Sequence, residues 1–148
     1  RRVSVEEIQH ITNLAQRYGI QTGLFVMLGY PGENISDIKA TTEHLKQTNA
    51  DTFLTTVAYP IKGTEFYHEV EHQLKNGVDW SLSTDRNLKI TGRHSDRFYW
   101  FANRYLVNEV LQHKLRHNKK TTFMKLTSTY AKAKLARIGM EFTKSKLS

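Results

Sequence analysis

Apolar residues recur at helical spacing from Val5 through Ile8, Ile11 and Leu14 to Tyr18, the period of an α-helix. Ser4 and Glu7 stand ahead of that stripe as an S-x-x-E capping box, and Gly19 follows it where a left-handed residue ends a helix. The period then changes. Residues 20–28 (IQTGLFVML) form a nearly continuous apolar run bounded by turn residues, which predicts a buried strand. After the turn GYPGE, Asn34 or Ser36 caps a second helix with Ile35, Ile38 and Leu45 on one face. Asn49-Ala50-Asp51 ends it, and residues 52–59 (TFLTTVAY) predict a second strand from their β-branched and aromatic content. Pro60, Gly63 and Thr64 break that strand and open a third helix carrying Phe66, Tyr67, Val70 and Leu74, with Gly77 at its end.

Helix, strand, helix, strand, helix with short connections predicts parallel strands joined by a right-handed crossover. Residues 78–97 lack a period. A long helix is predicted from Ser95 to His117, with Phe98, Phe101, Ala102, Tyr105, Leu106, Val110 and Leu111 forming a wide apolar face about 35 Å long. A basic helix over Thr122 to Ile138 follows. The chain therefore divides into βα units at 1–77, a linker and long helix at 78–118, and a basic helical tail at 119–148. Two strands neither close a barrel nor cover both faces of a parallel sheet, and their open edge is an aggregation hazard. With Arg1 rather than Met at its start, the sequence is expected to be one segment of a larger α/β protein.

Composition narrows the classes. The chain has 148 residues, 39% of them hydrophobic and 24% charged, which suits a packed core rather than general disorder. No apolar stretch reaches the roughly eighteen residues of a membrane span, and no signal-peptide pattern opens the chain. Zero cysteines exclude disulfides and thiolate ligands. A cytoplasmic location is the expectation. Charge is lopsided: residues 113–148 hold ten Lys or Arg against one acid, Glu141, whereas residues 1–112 are nearly balanced. That excess suits a solvated basic face or an acidic partner such as nucleic acid, an anionic membrane or an acidic protein.

Two stretches carry a resemblance. GIQTGLFVMLGYPGENISDI, followed by NADTFLTTVAYPIKGTEFY, is similar to the C-terminal half of a radical S-adenosylmethionine (SAM) enzyme, most of all the cobalamin-binding branch. Members of that branch carry a glycine-tyrosine-proline-glycine-glutamate turn at one strand end and tyrosine-proline, then glycine-threonine, at the next. The likeness covers residues 1 to about 75, extends through the FYWFANRYLVNEV helix, and is absent from about the last thirty residues. It implies the C-terminal portion of a partial (β/α)6, TIM-like barrel, of which this chain holds the fifth and sixth strands, followed by an α-helical extension.

The resemblance also implies cofactor contacts. Arg2 matches an arginine used against the SAM carboxylate, which a guanidinium fits in bidentate fashion. Phe25 to Gly29 matches the strand whose apolar wall and backbone lie along the adenine, with Met27 in contact. Tyr59 matches the position whose backbone meets the adenine edge. The family's [4Fe–4S] cluster is held by C-x3-C-x2-C, which this chain lacks, so cluster and cobalamin are expected from the missing N-terminal part of the same protein. None of these residues is expected to be catalytic. The implied function is SAM binding for radical chemistry, or cobalamin-dependent methyl transfer, on a small-molecule substrate, with this chain alone inactive.

Other motifs point elsewhere. HEVEH at 68–72 fits the H-E-x-x-H of zinc peptidases, with His94 as the nearest third ligand. An exposed helix with incidental histidines satisfies the same spacing, as it does for His113 and His117. GYPGE read by itself is a βα turn in which Pro31 fixes φ and Gly32 supplies a positive one. Phe98, Phe101 and Tyr105 read as core, while Tyr99 and Trp100 point away from that stripe. The basic tail, with Tyr130 among its lysines, also fits a nucleic-acid adaptor.

Overall fold

A computed structural model of the chain describes residues 3–74, 90–117 and 122–145. Helix α1, Val5–Arg17, opens on the expected capping box: the Glu7 N–H donates to Ser4 Oγ at 3.2 Å and the Ser4 N–H to Glu7 Oε2 at 2.8 Å. Strand β1 is Gly23–Leu28, helix α2 Ile35–Thr48 and strand β2 Thr52–Val57. Asn34 caps α2, accepting from the Ser36 N–H at 2.7 Å, and Asn49 ends it in the left-handed region at φ 48°. Helix α3, Glu65–Val70, is capped by Thr64 and continues as a single 3-10 turn, Glu71–Gln73. Helices α4, Asp96–His117, and α5, Phe123–Thr143, complete the order. Gly77, the expected end of the third helix, lies outside the described residues.

Both strands are shorter than the apolar runs that predict them. Asp51 explains the start: its carboxylate accepts from the Thr22 N–H at 2.7 Å and the Thr22 hydroxyl at 2.9 Å, so the chain before Gly23 is held by a side chain. The strands pair in parallel, from Gly23 opposite Thr52 to Leu28 opposite Val57.

The expected (β/α)6 barrel is not what these residues form. The described residues are 64% helical around a sheet of two parallel strands. Barrel closure needs enough strands to pair every edge. Among the described residues β1 and β2 pair only with each other, and α2, α4 and α5 share the core of one face. The fold is α/β with a two-stranded sheet.

That face holds the core. Leu24, Val26 and Leu28 of β1 and Phe53 and Val57 of β2 alternate toward Ile38 and Leu45 of α2 and toward Phe98, Ala102 and Leu106 of α4. Helix α5 packs along α4 and contributes Ala136 and Met140 to the same cluster. Its Gly139 faces the Phe101 ring so closely that any Cβ there would overlap it. An ion pair joins α2 to α4, with Lys46 Nζ 2.7 Å from Glu109 Oε2.

Candidate functional site at the strand ends

The sheet's second face is open. Phe25 and Met27 of β1 lie opposite Leu54 and Thr56 of β2 in register. All four are exposed, Phe25 by 82% and Leu54 by 61%. A ring, a thioether and a branched aliphatic side chain thus form an apolar surface that no described element covers.

At its C-terminal end the two strands leave the sheet together, since the Ala58 N–H donates to the Leu28 carbonyl at 2.6 Å. Gly29 turns the first exit. Its φ is +87°, and a Cβ there would lie 2.9 Å from Val57 Cγ1 and 3.3 Å from Tyr99 Cζ, so backbone conformation and packing both require glycine. The chain then reverses through Tyr30-Pro31-Gly32-Glu33, with φ 78° at Gly32 and the Glu33 N–H donating to the Tyr30 carbonyl at 3.1 Å. Proline second and positive φ third is a type II pattern. Glu33 folds back on its own strand, its Oε2 accepting from the Gly29 N–H at 2.6 Å. Burial pushes the Glu33 pKa up, the Gly29 N–H opposes that rise, and the Asp37 charge adds to it.

The second exit is held from the other side. Arg93 Nη1 donates to the Ala58 carbonyl at 2.7 Å, and its guanidinium carbon lies 5.8 Å from the centre of the Tyr99 ring. Tyr99 is buried, with no partner for its hydroxyl among the described residues. Burial, reinforced by the Glu33 charge and opposed by Arg93, pushes its pKa up to about 12. Beside it, between β2 and the start of α4, opens a cleft of about 470 Å³ lined by Thr56, Tyr59, Arg93, Asp96, Trp100 and Asn103. The Thr55 hydroxyl donates to Asn103 Oδ1 at 2.7 Å along that wall.

The residues singled out from the sequence distribute as follows. Phe25 and Met27 share the open face. Gly29 is buried under Tyr99 at the first exit, and Tyr59 lines the cleft at the second. Arg2 lies outside the described residues. Sequence reasoning missed three participants. Tyr99 packs into the site instead of away from the core, Glu33 closes the turn, and Arg93 fixes the second strand's exit. The Gly29 position is the one signal that could have found Tyr99, because a glycine at a strand end leaves room for a ring.

The HEVEH segment does not form a single helical face, because α3 gives way to the 3-10 turn between His68 and His72, and both histidines are exposed. His94 is buried elsewhere, with Nδ1 accepting from the Ser145 N–H at 3.0 Å. Among the described residues no three His, Cys, Asp or Glu side chains group as metal ligands. No described helix is long and apolar enough to cross a membrane.

No protein-family model matches the chain, and no curated protein matches it.

Proposed function

We propose that this chain is the SAM-holding segment of a radical SAM enzyme of the cobalamin-binding kind. The observation that carries the reading is the exposed apolar pair Phe25 and Met27 beside Leu54 and Thr56, with Met27 and Thr56 each one residue before the end of its strand. Ligands of α/β folds gather at the C-terminal ends of parallel strands. Adenine offers a flat apolar face with polar edges. Phe25 and Met27 supply area for the face through ring and sulfur contacts. The chain leaving β2 toward Tyr59 supplies backbone groups for an edge. Gly29, Glu33 and Tyr99 do not touch the ligand in this reading; they fix where the two strands stop.

The residues here fit the nucleoside of SAM but not an iron–sulfur cluster. The chain has no cysteine, and its described residues offer no other ligand group. A cluster supplies the electron that cleaves SAM, and no residue of this chain takes part in that step. Cluster, cobalamin and the small-molecule substrate belong, in this proposal, to the remainder of a cytoplasmic protein that contains this segment.

Titration calorimetry with SAM and with adenosine tests the reading. Both should bind, and Phe25→Ala should weaken each by about tenfold, the scale of one lost base–aromatic stack. Leu111→Ala, an exposed change on α4 remote from the open face, should leave affinity unchanged. Absence of binding by either ligand, or equal affinities for wild type and Phe25→Ala, overturns it.

A further inference from the structure

Helix α5 is built inside out. The face it packs on α4 is made of small or slender residues, Thr129, Ala133, Ala136, Gly139 and Met140. Most of its large apolar side chains point to solvent. Phe142 is 85% exposed, Met124 75% and Leu135 67%. With Ala131 and Ile138 these residues fall at spacings of seven, four, three and four, one straight stripe about 27 Å long. Scattered exposed apolar residues are ordinary, whereas a continuous uncharged stripe marks an interaction surface.

Charge says what kind. Exposed Lys125 and Lys132 lie along one side of the stripe and exposed Lys134 along the other. The sole acid of the helix, Glu141, is paired with Lys144 at 2.9 Å. In sequence, Lys119 and Lys120 stand just ahead of the helix. A second copy of α5 set against this face would bring lysine rims together, and like charges disfavour that pairing. Nucleic acid would meet the lysines but leave the stripe uncovered. An anionic bilayer surface satisfies both features, because acyl chains take the stripe while lysines extend along its flanks to headgroups.

We propose that α5 is an interfacial helix whose outward stripe, from Met124 to Phe142, seats in an anionic lipid surface. The helix lies in the plane of the surface and does not span it. The inference is independent of the SAM reading, since α5 shares no residue with the strand ends.

Vesicle co-sedimentation tests it, using phosphatidylcholine alone and phosphatidylcholine mixed with phosphatidylglycerol. The chain should partition onto the mixed vesicles and only weakly onto the neutral ones. Lys125→Gln, Lys132→Gln and Lys134→Gln combined should weaken partitioning on the order of a hundredfold, since each lysine near an anionic surface contributes about fivefold. Leu135→Glu with Phe142→Glu should abolish it while circular dichroism and the melting temperature stay as in wild type, because both side chains are already in water. Should that pair fail to fold, the lysine variant alone decides. Equal partitioning onto both vesicle types, or lysine variants that partition like wild type, overturns the proposal. So does a dimer in sedimentation velocity that Leu135→Glu dissociates, which assigns the stripe to a second copy. RNA binding without vesicle binding overturns it in favour of nucleic acid.

Discussion

Both faces of the β1–β2 sheet carry large apolar side chains, yet their environments are opposite. On one, Leu24, Val26, Leu28, Phe53 and Val57 sit beneath α2 and α4; on the other, Phe25, Met27 and Leu54 meet solvent. A strand covered on one side normally alternates apolar with polar residues, whereas GLFVML does not alternate. The difference shows that hydrophobicity along a strand reports what a face is suited to meet, not what covers it. One face is spent on stability. The other is left with an apolar surface beside a constrained turn, where the proposed adenine contact lies.

The largest test of that division is to remove bulk from the covered face. Phe98 is fully buried in the core that the sheet, α2, α4 and α5 share. Phe98→Ala should cost about 4 kcal/mol in urea denaturation, from lost burial plus the cavity left behind. Next comes the point where the faces end. Gly29→Ala keeps the chain apolar but imposes a Cβ at φ +87°, 2.9 Å from Val57 Cγ1. Left-handed strain of about 1–2 kcal/mol and crowding of about 1–3 kcal/mol should together make this the second-largest loss. A loss under about 0.5 kcal/mol would mean that Gly29 does not hold its positive φ tightly against Val57.

What was legible in the sequence follows the same division. Caps and alternation act locally, so Ser4, Asn34 and Thr64 begin their helices where expected, and Phe98 and Tyr105 enter the core. The barrel implied by the resemblance has no support in the local pattern and is not formed: two strand signals specify two strands, and among the described residues these pair with each other. The first strand starts three residues later than its apolar run because Asp51 reaches across 29 positions to hold Thr22, while the second starts at Thr52 as expected. Tyr99 was misplaced for a related reason. Helix α4 packs on the sheet and on α5 at once, so its buried arc is wider than one stripe and takes in Tyr99 as well as Phe98. At the site, alternation alone puts Phe25 and Met27 on one face, while Arg93 meeting the Ala58 carbonyl across 35 positions has no local signature.

On the open face, a change of comparable size should leave stability almost untouched. Phe25→Ala removes a ring that is already 82% exposed, and its effect on unfolding should stay within about 0.5 kcal/mol. The same variant is expected to lose SAM affinity. Stability and binding measured on Phe25→Ala and Phe98→Ala therefore separate the two faces. A large stability loss from Phe25→Ala would mean that its face is covered in solution.

The smallest effect concerns the turn where both faces stop. Glu33 is half-buried, and burial first, then the Asp37 charge, raise its pKa against the pull of the Gly29 N–H. A carboxyl whose folded pKa lies above its unfolded value stabilises the fold at low pH. That contribution is lost as pH rises through the folded pKa. Glu33→Gln keeps an oxygen for the Gly29 N–H and removes the charge that burial disfavours. Its melting temperature relative to wild type should therefore improve as pH climbs from about 4 through the range just above glutamate's ordinary value. The two curves should run parallel once Glu33 is fully ionised. Parallel curves across the whole range would mean that the Glu33 carboxylate stands in water, and the turn would then depend on Gly29 and Gly32 without the clasp.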